Sequence, residues 1–129
     1  MKKTDVTNWV LPNGLKVLHV RCKGDVAYCG MYVGVGTRDE QPSEHGYAHL
    51  TEHMLFKATQ KRSASQIINR LEAVGGELNA YTTKEETVVY AVSLRRDLPR
   101  AVELVSDVCL NVCFLPDNLN KEKEVVMDE

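Results

Sequence analysis

The chain has 129 residues, of which 43% are hydrophobic and 26% are charged, and its formal net charge at pH 7 is −2. This length suits a single domain with one modest core, so we treat residues 1–129 as one unit. The small negative charge lacks the basic excess that nucleic-acid binding needs, which excludes nucleic acid as the expected partner. No stretch approaches the roughly 18 apolar residues of a membrane span, and no apolar core follows the opening "MKK". We therefore expect a cytoplasmic protein without membrane contact.

The first part of the chain predicts β-structure. In "WVLPNGLKVLHV", the pair Asn13–Gly14 lies between two apolar runs, which is a strong hairpin signal, and Leu15, Val17 and His19 share one face of the second strand. The next stretch, "DVAYCGMYVGVGT", predicts a buried strand whose glycines allow close backbone approach.

Two helices and a second hairpin are predicted next. The stretch "SEHGYAHLTEHMLFKATQ" has a helical pattern, and in "RSASQIINRLEAVGG" Ser63 and Gln66 suit a capping box while Gly75–Gly76 ends the helix. The segment "ELNAYTTKEETVVYAVSL" predicts two strands around a polar turn.

Two more helices complete the chain. Asp97 is placed to cap the first helix and Pro116 to end it, with apolar residues at helical spacing at Leu98, Val102, Val105, Val108 and Val112. The second is "PDNLNKEKEVVMDE". This order of elements predicts the α+β class, an antiparallel-rich mixed sheet packed with helices.

The pattern "HLTEH", residues 49–53, predicts a metal site. On a helix His49 and His53 lie about 40° apart in angle and about 6 Å apart along the axis, so both imidazoles can reach one ion. Zinc binds histidine nitrogen at about 2.0 Å, and a catalytic site typically has three protein ligands and an open position.

Glu52 is the candidate general base. HxxEH reverses the order of the HExxH motif and can present the same chemistry from a helix of opposite polarity. Glu52 would take a proton from the attacking water and pass it to the leaving amine of a peptide bond, so the predicted reaction is hydrolysis. The alternative is an ordinary amphipathic helix in which the histidines form a hydrogen-bonded face and Glu52 is solvated.

Spacing alone does not select the third ligand. His45 lies about 12 Å along the helix axis from His53, which is too far for both to bind one ion. The last helix offers four carboxylates, and Glu122 and Glu129 share a face but lie about 10.5 Å apart, so only one of these two can be a ligand. The charged run also suits a solvated helix face. The four are Glu122, Glu124, Asp128 and Glu129.

Three motifs in order, "HGYAHLTEHMLFKATQKRS", "LEAVGGELNAYTTKEETVVYAV" and "EKEVVMDE", closely resemble the amino-terminal part of the pitrilysin family. These inverzincins include insulin-degrading enzyme and the mitochondrial processing peptidase. The likeness covers nearly the whole chain, from "LPNGLKVLHV" to its end. Family members are much longer and pair two similar halves around a chamber, so the resemblance implies part of the amino-terminal half of a pitrilysin-like metallohydrolase.

The resemblance also assigns roles to individual residues. It implies that His49, His53 and Glu129 hold one zinc ion per chain, that Glu52 is the catalytic base, and that Glu122 supports the ligands without binding the metal. A second half-domain or subunit is expected to complete the chamber.

The segment "GELNAYTT" resembles the edge strand along which the family binds an extended substrate as an added strand. The resemblance implies that Asn79, Ala80 and Tyr81 contact substrate, whereas the alternative for these residues is ordinary strand packing.

The expected function is a zinc-dependent metalloendopeptidase that hydrolyses extended peptides or small proteins. One alternative is a non-catalytic family member that acts as a structural or partner subunit, and the complete set of motif residues argues against it. A second is a closed zinc site that only stabilises folding, which would need a fourth protein ligand.

Overall fold

A computed structural model describes residues 5–129. The strands are β1 (Asp5–Val10), β2 (Lys16–Arg21), β3 (Val26–Val33), β4 (Glu77–Thr82) and β5 (Thr87–Leu94). The helices are α1 (Tyr47–Met54), α2 (Ala64–Glu72), α3 (Leu98–Leu110) and α4 (Pro116–Asp128). All strand pairs are antiparallel, and the α+β class is confirmed. Within this part of the chain, no helix combines the length and apolar character needed to cross a membrane.

The predicted first hairpin is present. β1 and β2 pair from Asp5 opposite Arg21 to Val10 opposite Lys16. In the turn, the Asn13 side-chain oxygen accepts a hydrogen bond from the Leu15 amide at 3.0 Å, and Gly14 has a φ of 89°, which favours glycine.

The second sheet has the order β3-β5-β4, with β5 in the centre. The prediction of a buried β3 is wrong, because only alternate residues of β3 are covered and Tyr28 and Tyr32 are exposed. The physical reason is the two-residue period of a strand, which sends half of the side chains to α3 and the other half to the open face of the sheet.

The core lies between this sheet and helices α2 and α3. It contains Leu55, Ile67, Leu71, Val89, Ala91, Ala101, Leu104, Val105 and Val108. The apolar spacing noted for α3 coincides only in part with its buried face, since Val102 is half-exposed and the smaller Ala101 is buried in the row with Leu104. A residue at a close helix–sheet contact has to be small, which apolar spacing alone does not reveal.

The helix ends agree only in part with the sequence signals. The Ser63 amide donates to the Gln66 side chain at 2.9 Å, and Gly75 follows α2 with a φ of 77°, as predicted. Asp97 occupies the N-cap position of α3, but its side chain makes no capping hydrogen bond. Pro116 does not end α3, which stops at Leu110; it opens α4, where a missing backbone N–H costs nothing.

A buried polar network joins the loop after α1 to α3. The Asp107 carboxylate, 2% exposed, accepts hydrogen bonds from the Thr59 hydroxyl at 2.8 Å, Arg62 at 2.8 Å and the Asn111 amide at 3.0 Å. The Glu103 carboxylate accepts two further bonds from Arg62 at 3.0 and 2.8 Å. The network therefore secures the segment between α1 and α2 to the helix that leads towards α4.

Asp107 makes stability depend on pH. Burial alone would raise the pKa of this carboxyl, but hydrogen bonds from Thr59, Asn111 and Arg62 together lower it below its ordinary value. A carboxyl whose pKa is depressed by folding stabilises the protein above its unfolded pKa of about 3.9, and this contribution is lost as the pH falls through the folded pKa.

We expect Asp107→Ala to lower the free energy of unfolding by about 3 kcal/mol at pH 7, because the Thr59 hydroxyl and the Nη1 group of Arg62 lose a buried acceptor. Urea unfolding followed by circular dichroism between pH 7 and pH 2 measures the deficit, which should shrink below about pH 4. The control Asp25→Ala removes an exposed carboxylate and should change stability by less than about 0.5 kcal/mol. A deficit that stays constant over this pH range would contradict the assignment.

Candidate metal centre

Helix α1 carries both histidines of the HLTEH pattern on one face, one turn apart. Their ring centroids are 4.6 Å apart and the rings are nearly perpendicular, at 81°. The Nε2 atoms of His49 and His53 are 3.0 Å apart, so the two nitrogens converge on one point as the i, i+4 spacing predicts.

The residue that directly follows helix α4, Glu129, brings a carboxylate to the same point. The Oε2 atom of Glu129 lies 3.0 Å from Nε2 of His49 and 3.5 Å from Nε2 of His53. Within residues 5–129, His49, His53 and Glu129 form a group able to hold a metal ion. His45 does not join them, since its side chain is 82% exposed and faces Glu40 at 3.9 Å.

The three donor atoms fit zinc. With ligands at about 2.0–2.1 Å, tetrahedral geometry separates neighbouring donor atoms by about 3.3 Å, close to the observed 3.0–3.5 Å. Two imidazole nitrogens and one carboxylate are donors that zinc accepts, and three protein ligands leave a fourth position open. Electron pairs facing one another at this distance repel unless a proton or a cation lies between them.

Glu122 lies on the other side of His53. Its Oε2 atom is 2.9 Å from Nδ1 of His53, and its Oε1 atom is 2.8 Å from Nζ of Lys57. Burial of Glu122 opposes ionisation, but the hydrogen bonds from Lys57 and His53 prevail and the pKa of Glu122 is lowered. An ionised carboxylate can only accept, so Glu122 accepts from Nδ1–H of His53, and the opposite ring nitrogen, Nε2, faces His49 and Glu129.

A residue of the second sheet forms a hydrogen bond with Glu52. The hydroxyl group of Thr82, the last residue of β4, donates a hydrogen bond to Oε2 of Glu52. Within residues 5–129, the other oxygen of Glu52, Oε1, accepts no hydrogen bond. This contact places the predicted base at the point where α1 meets the end of β4.

The three predicted substrate-contacting residues lie together on β4, which pairs with β5. Asn79 and Tyr81 are exposed on the open face of the sheet, whereas Ala80 packs against the core. The Ala80 amide donates to its neighbour's side-chain oxygen, Oδ1 of Asn79, at 2.8 Å.

Sequence reasoning missed three residues of this site. Lys57 follows His53 by four positions, a helical spacing that would have indicated a nearby cation. Thr82 carries no signal of its own, because its role depends on where β4 ends relative to α1. Glu40 accepts hydrogen bonds from the amides of Gly46 and Ala48 at the start of α1, and no local capping pattern links residues six and eight positions apart.

The sequence of this chain is similar to those of zinc proteases and of a mitochondrial-processing peptidase subunit. The chain is 48% identical over 120 residues to an uncharacterised zinc protease of Mycobacterium tuberculosis, covering 92% of this chain and 27% of that protein. It is 39% identical over 127 residues to the mitochondrial-processing peptidase subunit beta of Mus musculus, covering 98% of this chain and 26% of that protein. The chain thus spans about a quarter of the length of these relatives.

A solved structure supports the same relationship. The crystal structure of a protease from Helicobacter pylori matches 98% of this chain and 30% of that chain, with a TM-score of 0.93 and 27% identity. Residues 16–129 match the model of the family described as Insulinase (Peptidase family M16). The resemblance inferred from the motifs is confirmed, and the chain is a member of peptidase family M16.

Proposed function

We propose that this chain carries the zinc centre of a metalloendopeptidase, with His49, His53 and Glu129 holding one zinc ion per chain. The observation that carries the proposal is the triangle of donor atoms, 3.0–3.5 Å on each side. The three-donor set favours a catalytic site over a closed structural one, which uses four protein ligands.

The side chains around the triangle suit peptide hydrolysis. When bound, zinc supplies a Lewis acid that polarises the scissile carbonyl and increases the acidity of water. Glu52 takes a proton from the attacking water and delivers it to the leaving amine, while the Thr82 hydroxyl holds its other oxygen in place. Glu122 keeps the proton of His53 on Nδ1, so Nε2 remains a ligand atom.

The proposed substrate is an extended peptide that adds to β4. Such a peptide would use backbone hydrogen bonds along the strand and would meet the exposed side chains of Asn79 and Tyr81 and the backbone of Ala80. The contact between Thr82 and Glu52 supports this, because it joins the end of β4 to the proposed base. A peptide bound alongside β4 would therefore extend towards Glu52, the proposed base.

We further propose that the chain acts as part of a longer protein. The share of the relatives' length that the chain spans supports a longer peptidase in which a second half-domain or subunit completes the chamber. A cytoplasmic location stays a prediction from the sequence. The alternative, a non-catalytic structural or partner subunit, is disfavoured by the presence of His49, Glu52, His53 and Glu129 together.

The first prediction from this proposed function concerns metal content. Protein purified without added metal should contain about one zinc ion per chain by elemental analysis. His53→Ala should lose the metal because it removes one of three ligands. His45→Ala makes the same substitution on an exposed side chain and should retain it. Equal zinc in all three proteins would place the metal elsewhere, and no zinc in the unaltered protein would contradict the proposed function.

The second prediction separates catalysis from metal binding. Glu52→Gln should keep zinc but lower kcat for cleavage of a quenched fluorescent peptide by about 10²–10⁴-fold in the full-length protein, because an amide cannot act as the base. Zinc content measured on the same samples is the control. Cleavage that persists at the original rate would remove Glu52 from the role of base.

The third prediction tests the support beneath His53. Lys57→Met should weaken zinc binding by about tenfold, because Glu122 loses the partner that holds it against His53. Competition with a chromogenic zinc chelator measures the dissociation constant. Lys61→Met is the matched control, since Lys61 is exposed and lies near Glu103. Equal affinities in the two variants would show that Glu122 keeps its position without Lys57.

A further inference from the structure

Helix α1 begins without a cap of its own. Its N-cap residue is Gly46, which has no side chain, and the first turn contains no acidic residue. The cap comes instead from Glu40, whose Oε1 atom accepts from the Ala48 amide at 2.8 Å and whose Oε2 atom accepts from the Gly46 amide at 3.2 Å. The Glu40 side chain is only 9% exposed, so both carboxylate oxygens are committed to the start of the metal-binding helix.

The backbone that carries Glu40 is docked on the turn between β4 and β5. The Thr37 amide donates to the Thr83 carbonyl at 3.0 Å, and the Arg38 amide donates to the Lys84 carbonyl at 2.9 Å. Gly36 is buried so close to this turn that a Cβ atom there would collide with the Thr83 carbonyl oxygen. Residues 36–40 therefore form a bracket between the β4–β5 turn and the start of α1.

The same turn adjoins the residue that contacts the proposed base. Thr82 immediately precedes Thr83 and donates its hydroxyl hydrogen to Glu52. The position of α1 relative to β4 is therefore set twice, through Glu40 at the beginning of the helix and through Thr82 one and a half turns later. An isolated helix of eight residues has little stability, so such external contacts determine where it lies.

We propose that Glu40 is a positioning residue for the zinc centre, which sets the axial placement of α1 relative to β4. This inference rests on the proposed function. A slip of α1 by one residue would move His49 and His53 by about 1.5 Å, whereas metal–ligand distances tolerate only about 0.2 Å. Glu40 thus acts on the metal and on the alignment of Glu52 without touching either metal or substrate.

The test compares substitutions of Glu40 with the same substitution at Glu44 in the full-length protein. Glu40→Ala removes both acceptors from α1, and Glu40→Gln keeps one oxygen and is the milder variant if the first folds poorly. Glu44→Gln is the matched control: it also removes a carboxylate before α1, but the Glu44 carboxylate accepts from the Gln41 amide, and the Glu44 backbone carbonyl that accepts from Tyr47 is left unchanged. Zinc dissociation constants, the visible spectrum of bound Co²⁺ and the thermal midpoint are measured for each.

We expect Glu40→Ala to bind zinc about tenfold more weakly and to shift the Co²⁺ spectrum, with a smaller effect for Glu40→Gln. Glu44→Gln should stay within about twofold of the original dissociation constant. A lower thermal midpoint with unchanged zinc affinity and Co²⁺ spectrum would show that Glu40 is only a helix cap and would overturn the inference alone. An unaltered protein that binds no zinc would overturn both this inference and the proposed function.

Discussion

The candidate site depends on the meeting of α1 with α4, two helices that are far apart in sequence. A buried carboxylate joins them: Glu122 of α4 lies between Lys57 and His53, at 2.8 and 2.9 Å. Leaving a buried carboxylate without partners would be costly, so α4 is held in the register that satisfies Glu122. Since Glu129 follows Glu122 by two helical turns on the same face, this register also brings Glu129 to the two histidines.

The sheet completes the arrangement from the other side. Thr82 contacts Glu52 at the end of β4, and the bracket of residues 36–40 carries Glu40 to the start of α1. The helix is thus held by a carboxylate at its beginning, by the Thr82 hydroxyl group in its second half and by a partly buried ion pair beyond its end. Such support is what a metal site needs, because ligand geometry is accurate only when the surrounding groups restrict the ligands.

Predictions from the sequence failed where contacts between distant elements decided the structure. The apolar run of β3 suits burial on both faces, yet Tyr28 and Tyr32 are exposed because only one face of the sheet is packed by α3 in the described residues. The position of Pro116 after the apolar pattern of α3 predicts the end of that helix, but a proline suits the first turn of a helix as well as the region after one, and here it opens α4. The choice between such readings depends on contacts that a local pattern does not contain.

Three elements with strong local signals follow directly from the sequence: the Asn13–Gly14 hairpin, the α2 capping box, and the HLTEH helix that places two imidazoles one turn apart. These follow from backbone geometry, which acts over four residues or fewer. Spacing could not choose among the carboxylates of α4, and only the resemblance pointed to Glu129. The tertiary structure brought Glu129 to the histidines and Glu122 to Lys57, and it revealed Thr82 and Glu40 as supports. Those contacts depend on how helices and strands distant in sequence pack together, and that packing is decided by burial and hydrogen bonding across the whole domain.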